Sequence, residues 1–103
     1  MNLQWSDYGI QTFQEASDYI SRNFFPDYAD AFDADVLATA ELLIDNPMLG
    51  VEAYPGIGRT DLRKILCNNR NWWLYYRVLD DAVEIAQVVY ARQANINPFG
   101  LAR

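Results

Sequence analysis

Two runs of aromatic and β-branched residues dominate the second half of the chain. They are Trp72-Trp73-Leu74-Tyr75-Tyr76-Arg77-Val78 and, after Asp80-Asp81, Val83-Glu84-Ile85-Ala86-Gln87-Val88-Val89-Tyr90. Such residues fit a pleated surface better than a helix, so the two runs predict a β-hairpin. Folding about Asp80 and Asp81 pairs Leu79 with Ala82, Val78 with Val83, Arg77 with Glu84 and Tyr76 with Ile85. Side chains alternate along a strand, so this register gathers Trp72, Leu74, Tyr76, Val78, Val83, Ile85 and Val89 on one face, with Gln87 as its only strongly polar member. The other face takes Trp73, Tyr75, Arg77, Glu84, Ala86, Val88, Tyr90 and Arg92. The first face is expected to wall a core, and the second, mixed face suits a binding surface. Asp80-Asp81 is not a favoured two-residue turn, which leaves open a one-residue bulge that exchanges some of these assignments.

The first half of the chain has helical spacing. A short extended run, Leu3 to Trp5, ends at Ser6, a residue type that caps helices by accepting a hydrogen bond from a free N–H of the first turn. Gly9, Phe13, Ala16 and Ile20 then form a narrow stripe for a helix from about Asp7 to Arg22. Pro26 either breaks the chain or occupies the first turn of a second helix. In that helix Ala29, Phe32, Val36, Ala40 and Leu43, joined by Leu37 and Ile44, recur at helical spacing, until Asn46-Pro47 ends it. Gly50 to Thr60, with Pro55, Gly56 and Gly58, reads as an irregular loop. Asp61 to Cys67 reads as a strand with poor alternation, so either Arg63 or Lys64 can face outward, and Asn68 to Asn71 reads as a turn. In the tail from Gln93 to Arg103, Pro98 and Gly100 argue against a long helix. The expected architecture is α+β, in the order β-α-α-β-β-β, with a helical hairpin packed on one face of an antiparallel sheet. Residues 1–103 are expected to form one domain.

Charge divides the chain in the same place as the pattern. The net charge is −6, but residues 1–55 carry only Arg22 against ten acids, while residues 56–103 carry seven basic residues against four acids. The sheet half is therefore the part that could face an anion, and the acids of the first half solvate the outer helix faces. No apolar run is long enough to cross a bilayer, and residues 1–7 lack the regions of a signal peptide, which points to the cytoplasm.

Missing residue types narrow the chemistry. There is no histidine and one cysteine, Cys67, so no metal or cofactor is expected and a structural zinc site is excluded. Gly56-Ile57-Gly58-Arg59-Thr60 lacks the ending of a phosphate loop. Asp27, Asp30, Asp33 and Asp35 lack the glycine and terminal glutamate of a calcium loop. What remains is a basic patch of Arg59, Arg77, Arg92 and one of Arg63 and Lys64, flanked by Trp73 and Tyr75, a combination that stacks bases or anchors a protein. The bland alternative is a set of cross-strand pairs, such as Arg77 with Glu84.

The order of these pieces resembles the RelE/ParE family of bacterial type II toxins. The resemblance is carried by Trp5-Ser6, Phe13, Ala16, Tyr19-Ile20, Pro26, Phe32, Asn46-Pro47, Gly58-Arg59 and Leu62-Arg63. It continues through Trp72 to Val78 and Val83-Glu84-Ile85 to Arg92. It implies a small toxin, of the kind linked to plasmid stabilisation, neutralised by an antitoxin that wraps it, alone or as a toxin–antitoxin hetero-oligomer or homodimer. RelE-like members cut messenger RNA in the ribosome with basic residues plus His, Glu or Tyr, whereas ParE-like members poison DNA gyrase. If the chain were a nuclease, Lys64, Arg77, Tyr90 and Arg92 would be its catalytic set. Tyr90 stands where many relatives carry histidine, Lys64 is the only lysine, and an acidic protein suits a phosphate-lined site poorly. These departures favour the gyrase type, with no covalent chemistry of its own and with Arg59, Arg63, Trp73, Tyr75, Arg77 and Arg92 as the target- or antitoxin-binding residues. A non-toxic partner-binding module of the same fold is the third reading.

Overall fold

The computed structural model describes residues 1–93, 98 and 99. Strand β1 (Asn2–Trp5) leads into helix α1 (Asp7–Asn23), and helix α2 (Pro26–Asp45) follows. Ser6 is the cap expected from its position, its hydroxyl accepting from the Gly9 N–H at 2.9 Å. Pro26 occupies the first turn of α2 after the extended Phe25, where its missing N–H costs nothing. The stripe Ala29, Phe32, Val36, Ala40 and Leu43 is buried, whereas Leu37, assigned to it from spacing, is 45% exposed and Ile44 only half-buried. Leu37 follows Val36 by one residue, about 100° around the helix, which turns it away from the sheet.

After the short strand β2 (Val51–Glu52), which falls inside the stretch expected to be irregular, come β3 (Leu62–Leu66), β4 (Trp72–Val78) and β5 (Ala82–Tyr90). The sheet order is β1-β5-β4-β3-β2. The α+β arrangement with two helices on one face is as expected, but the sheet is mixed rather than antiparallel, because β1 runs parallel to β5. Parallel neighbours need a long crossover between them, and everything from α1 to β4 supplies it.

The turn at Asp80-Asp81 has the expected register, with Val78 opposite Val83, Arg77 opposite Glu84 and Tyr76 opposite Ile85. A bulge then occurs further along, where Ala86 is skipped and Tyr75 pairs with Gln87, Leu74 with Val88, Trp73 with Val89 and Trp72 with Tyr90. One extra residue reverses the alternation of everything beyond it. Gln87 and Val89 therefore leave the face assigned to them and join Tyr75 and Trp73, while Val88 and Tyr90 cross to the helix side with Leu74 and Trp72. The cause lies in α1, whose start abuts the bulge. Ser6 donates its N–H to the Ile85 carbonyl at 3.0 Å, and the Thr12 hydroxyl accepts the Val88 N–H at 2.9 Å. Gly9 comes so close to Ile85 that a Cβ there would sit 2.4 Å from its carbonyl oxygen.

Between helices and sheet lies a core of Ala16, Phe32, Val36, Leu43, Leu74, Tyr76, Ile85 and Val88 with their neighbours. Through it runs a row of rings in contact: Trp5 on Phe13, Phe13 on Phe32, Phe32 on Trp72 and Trp72 on Tyr90, with centroids 5.1 to 5.9 Å apart. Buried Tyr76 ties the end of α2 to the sheet by donating to the Pro47 carbonyl at 2.8 Å and accepting from the Gly50 N–H at 3.0 Å.

Candidate functional site

The basic patch expected on the outer sheet face is only partly assembled. The pairing of β3 with β4 sets Arg63 opposite Tyr76 and Lys64 opposite Tyr75, which settles their directions. Arg63 shares the helix-side face and spends its guanidinium on the Gly50 and Thr60 carbonyls, at 2.7 and 2.9 Å, fastening two loops together. Lys64 faces outward, its Nζ 4.6 Å from the Trp73 ring and 5.9 Å from that of Tyr75. Arg59 forms a two-pronged bridge to Asp61, with both contacts at 3.0 Å. The guanidinium holds the Asp61 carboxyl below its usual range and is itself pushed up in return.

Arg77 lies opposite Glu84 as expected, yet the ion pair found among the described residues is Arg59–Asp61 alone. The Arg77 guanidinium lies 5.8 Å from the ring of Phe99, and its Nε is buried without a hydrogen-bond partner among the described residues. Phe99 also meets Tyr54 and Tyr75, both at 6.1 Å, so the tail residues Pro98 and Phe99 cover part of this face. Tyr75 is left 8% exposed, and the same burial raises its pKa. The remaining expectations for the tail lie outside the described residues. Arg92 is exposed just past the end of β5.

Tyr90 is separated from this group. The bulge places it on the helix side, its ring 5.4 Å from that of Trp72, while Lys64 and Arg77 lie on the opposite face. The set Lys64, Arg77, Tyr90 and Arg92 is therefore not brought together. Cys67 is fully buried, and its thiol is pushed up to about 11, chiefly by burial and then by the nearby Asp35 carboxylate. A thiol so placed is a packed side chain rather than a nucleophile.

Spacing along the chain gave no sign of an apolar depression built from elements distant in sequence. Tyr19, Ile20, Phe24, Trp72 and Tyr90 line a cavity of about 550 Å³, and a second of about 410 Å³ adds Tyr28 and shares Ile20, Phe24 and Trp72. Tyr19, Phe24, Phe25 and Tyr28 are each more than half exposed around the link between the helices. The available signal was Phe24-Phe25, two large rings between helices and on neither stripe. The turn Asn68–Asn71 closes the far rim, held to α2 by the Asp35 carboxylate, which accepts the N–H groups of Asn68 and Asn69 at 3.2 and 3.1 Å. A contiguous apolar groove of this kind marks a surface that meets another molecule.

The described residues thus form a helical hairpin over one face of a five-stranded sheet, with an aromatic groove beside the link between the helices. Residues 3–95 match the family model described as ParE toxin of type II toxin-antitoxin system, parDE. The chain belongs to that family, and it is the toxin component of a type II system. A solved structure described as the chromosomal ParDE TA system from P. aeruginosa is similar to it with a TM-score of 0.73 and 14% identity, over 87% of this chain and 95% of that one. No curated protein matches the sequence. Among the described residues, no helix is long and apolar enough to cross a membrane.

Proposed function

We propose that this toxin acts in the cytoplasm by binding DNA gyrase, not by cutting RNA, and that a cognate antitoxin neutralises it. The observation that carries the choice is the bulge at Ala86. It leaves Tyr90 on the helix side of the sheet, while Lys64 and Arg77 lie on the other. General acid–base chemistry on one phosphodiester needs its groups within hydrogen-bond reach of the same atoms, and a sheet stands between these. The chain has no histidine, the one side chain whose ordinary pKa lies near neutral pH. The target surface is the outer-face group Lys64, Trp73 and Arg77, with Arg92 at the strand end.

The test is a pair of purified assays. Inhibited supercoiling of relaxed plasmid by gyrase, with messenger RNA left intact on translating ribosomes, is the expected result. Cleaved messenger RNA with unaffected supercoiling overturns the proposal. In cells, labelled thymidine incorporation should fall before labelled amino acid incorporation within minutes of induction.

A further inference from the structure

The tail residue Phe99 sits where three outer-face groups converge. Its ring meets Tyr54 and Tyr75 edge-on, with interplanar angles of 71° and 72° and centroids 6.1 Å away in each case. The Arg77 guanidinium lies 5.8 Å from the same ring. Edge-to-face contact with two rings, and a cation near its face, is an arrangement an aromatic side chain favours, so the notch between Tyr54, Tyr75 and Arg77 suits a ring. The polar groups of this face are not so well served. Pro98, itself buried, and Phe99 line one small depression with Arg77 and Tyr8. Arg77 Nε and Gln87 Oε1 are both buried, and neither has a hydrogen-bond partner among the described residues. Gln87 stands opposite Tyr75 in the sheet, and its amide donates only to the Tyr8 hydroxyl, at 3.4 Å. A buried donor and a buried acceptor without partners each weaken the closed arrangement, so the ring contacts hold Phe99 in place against an opposing cost.

Resting on the reading of the outer face as the target surface, we infer that this notch receives an aromatic side chain of the target, and that Phe99 is a resident stand-in displaced when the target binds. The incoming ring takes the place of Phe99 between the two tyrosines. The backbone beside it supplies what the tail does not, a carbonyl to accept from Arg77 Nε and an N–H to donate to Gln87 Oε1. One ring replaces another, so the net gain on displacement comes from these two hydrogen bonds. While Phe99 fills the notch the molecule is not competent, and the apparent affinity for the target is lowered by the fraction of molecules in which the notch is open. The tail thereby restrains the toxin without altering any residue that meets the target.

Phe99→Ala empties the notch, and Phe99→Trp keeps a ring in it. Phe99 lies outside the core cluster, so the fold should hold in both. The first readout needs no target: the isotope-labelled Nε–H signal of Arg77 in the full chain, assigned with Arg77→Lys. Its exchange with solvent should quicken about tenfold or more in Phe99→Ala and stay slow in Phe99→Trp. A synthetic peptide matching residues 93–103, added to the Phe99→Ala chain, should slow it again, and the same peptide with alanine for its phenylalanine should not. The second readout is gyrase supercoiling, which Phe99→Ala should inhibit at a concentration about three- to tenfold below that of the parent chain. Unchanged Arg77 exchange in Phe99→Ala overturns the inference. So does faster exchange with equal or weaker inhibition, which would make Phe99 part of the target surface. If the parent chain and Phe99→Ala both leave supercoiling untouched at every concentration, the gyrase reading falls alone. Graded induction then makes the same comparison: Phe99→Ala should arrest growth at lower expression than the parent, and arrest at equal or higher expression overturns the inference.

Discussion

Replacing Gly9 with alanine sets two effects of opposite sign against each other. Within a helix, alanine is preferred to glycine by about 1 kcal/mol, so local propensity alone makes Gly9→Ala stabilising. In the folded chain the new methyl would lie 2.4 Å from the Ile85 carbonyl oxygen, 3.2 Å from its carbon and 3.2 Å from the Ser6 hydroxyl. Neither neighbour is the free end of a flexible side chain, since Ile85 contributes backbone and the Ser6 hydroxyl is fixed as the helix cap. Relief requires α1 to retreat from β5, which stretches the Ser6 N–H to Ile85 bond and the Val88 N–H to Thr12 bond. Leaving the buried Val88 N–H unpaired costs about 1 to 3 kcal/mol, and weakening the Ser6 contact about 1 more. After the propensity gain is subtracted, Gly9→Ala should destabilise the fold by about 1 to 3 kcal/mol. Equilibrium urea unfolding reads this as a lower midpoint at unchanged slope. Gly56→Ala is the comparison: its φ is 91° but its surroundings are open, so it carries strain without collision. A Gly9→Ala protein as stable as the parent would refute the close packing of α1 on the bulge, and with it the reason given for the position of Tyr90.

Three further outcomes are expected. Tyr76→Phe removes the hydroxyl that joins Pro47 and Gly50, and should cost about 1 to 3 kcal/mol in the same unfolding assay, with a loss near zero counting against the bridge. The Cys67 thiol is raised in the folded state from an ordinary 9.0 to about 11, so it favours folding fully below pH 9 and loses that contribution as pH rises towards 11. Cys67→Ala should flatten this alkaline loss, and unfolding midpoints compared across that range check it. Arg77→Ala or Arg92→Ala should lower toxicity more than Arg22→Ala in a graded induction assay, by about tenfold if one interface charge contact is lost. Equal losses from all three, with folding intact, would remove the outer face as the target surface.

The chain's order in sequence made much of this legible. The stripe of α2, the Ser6 cap, the proline entry at Pro26, the exit at Asn46-Pro47 and the turn at Asp80-Asp81 are all encoded in spacings of a few residues. Each was readable because the groups that satisfy one another are neighbours along the backbone. The family resemblance was likewise legible as an ordered series of weak local signals. The site was less so. Arg63 and Lys64 are adjacent cations in a strand with poor alternation, and only pairing with β4 sent one to fasten loops and the other to the aromatic face. The closure of that face by Phe99 likewise depends on a contact between residues far apart in sequence.

Two tertiary facts determined most of what the candidate site became. Strand β1 pairs with β5 in parallel, although an edge strand offers hydrogen-bonding groups that accept a partner in either direction. Its direction came from where the helical hairpin had to lie. The bulge at Ala86 came from α1 pressing Ser6, Gly9 and Thr12 against β5, a contact between residues more than seventy positions apart. Periodicity and turn chemistry act locally, so every described element except β2, and the two-residue turn, could be read along the chain. Tertiary packing decided the face on which Gln87, Val88, Val89 and Tyr90 lie, because a single skipped residue reverses strand alternation and the force that skips it comes from the far end of the chain.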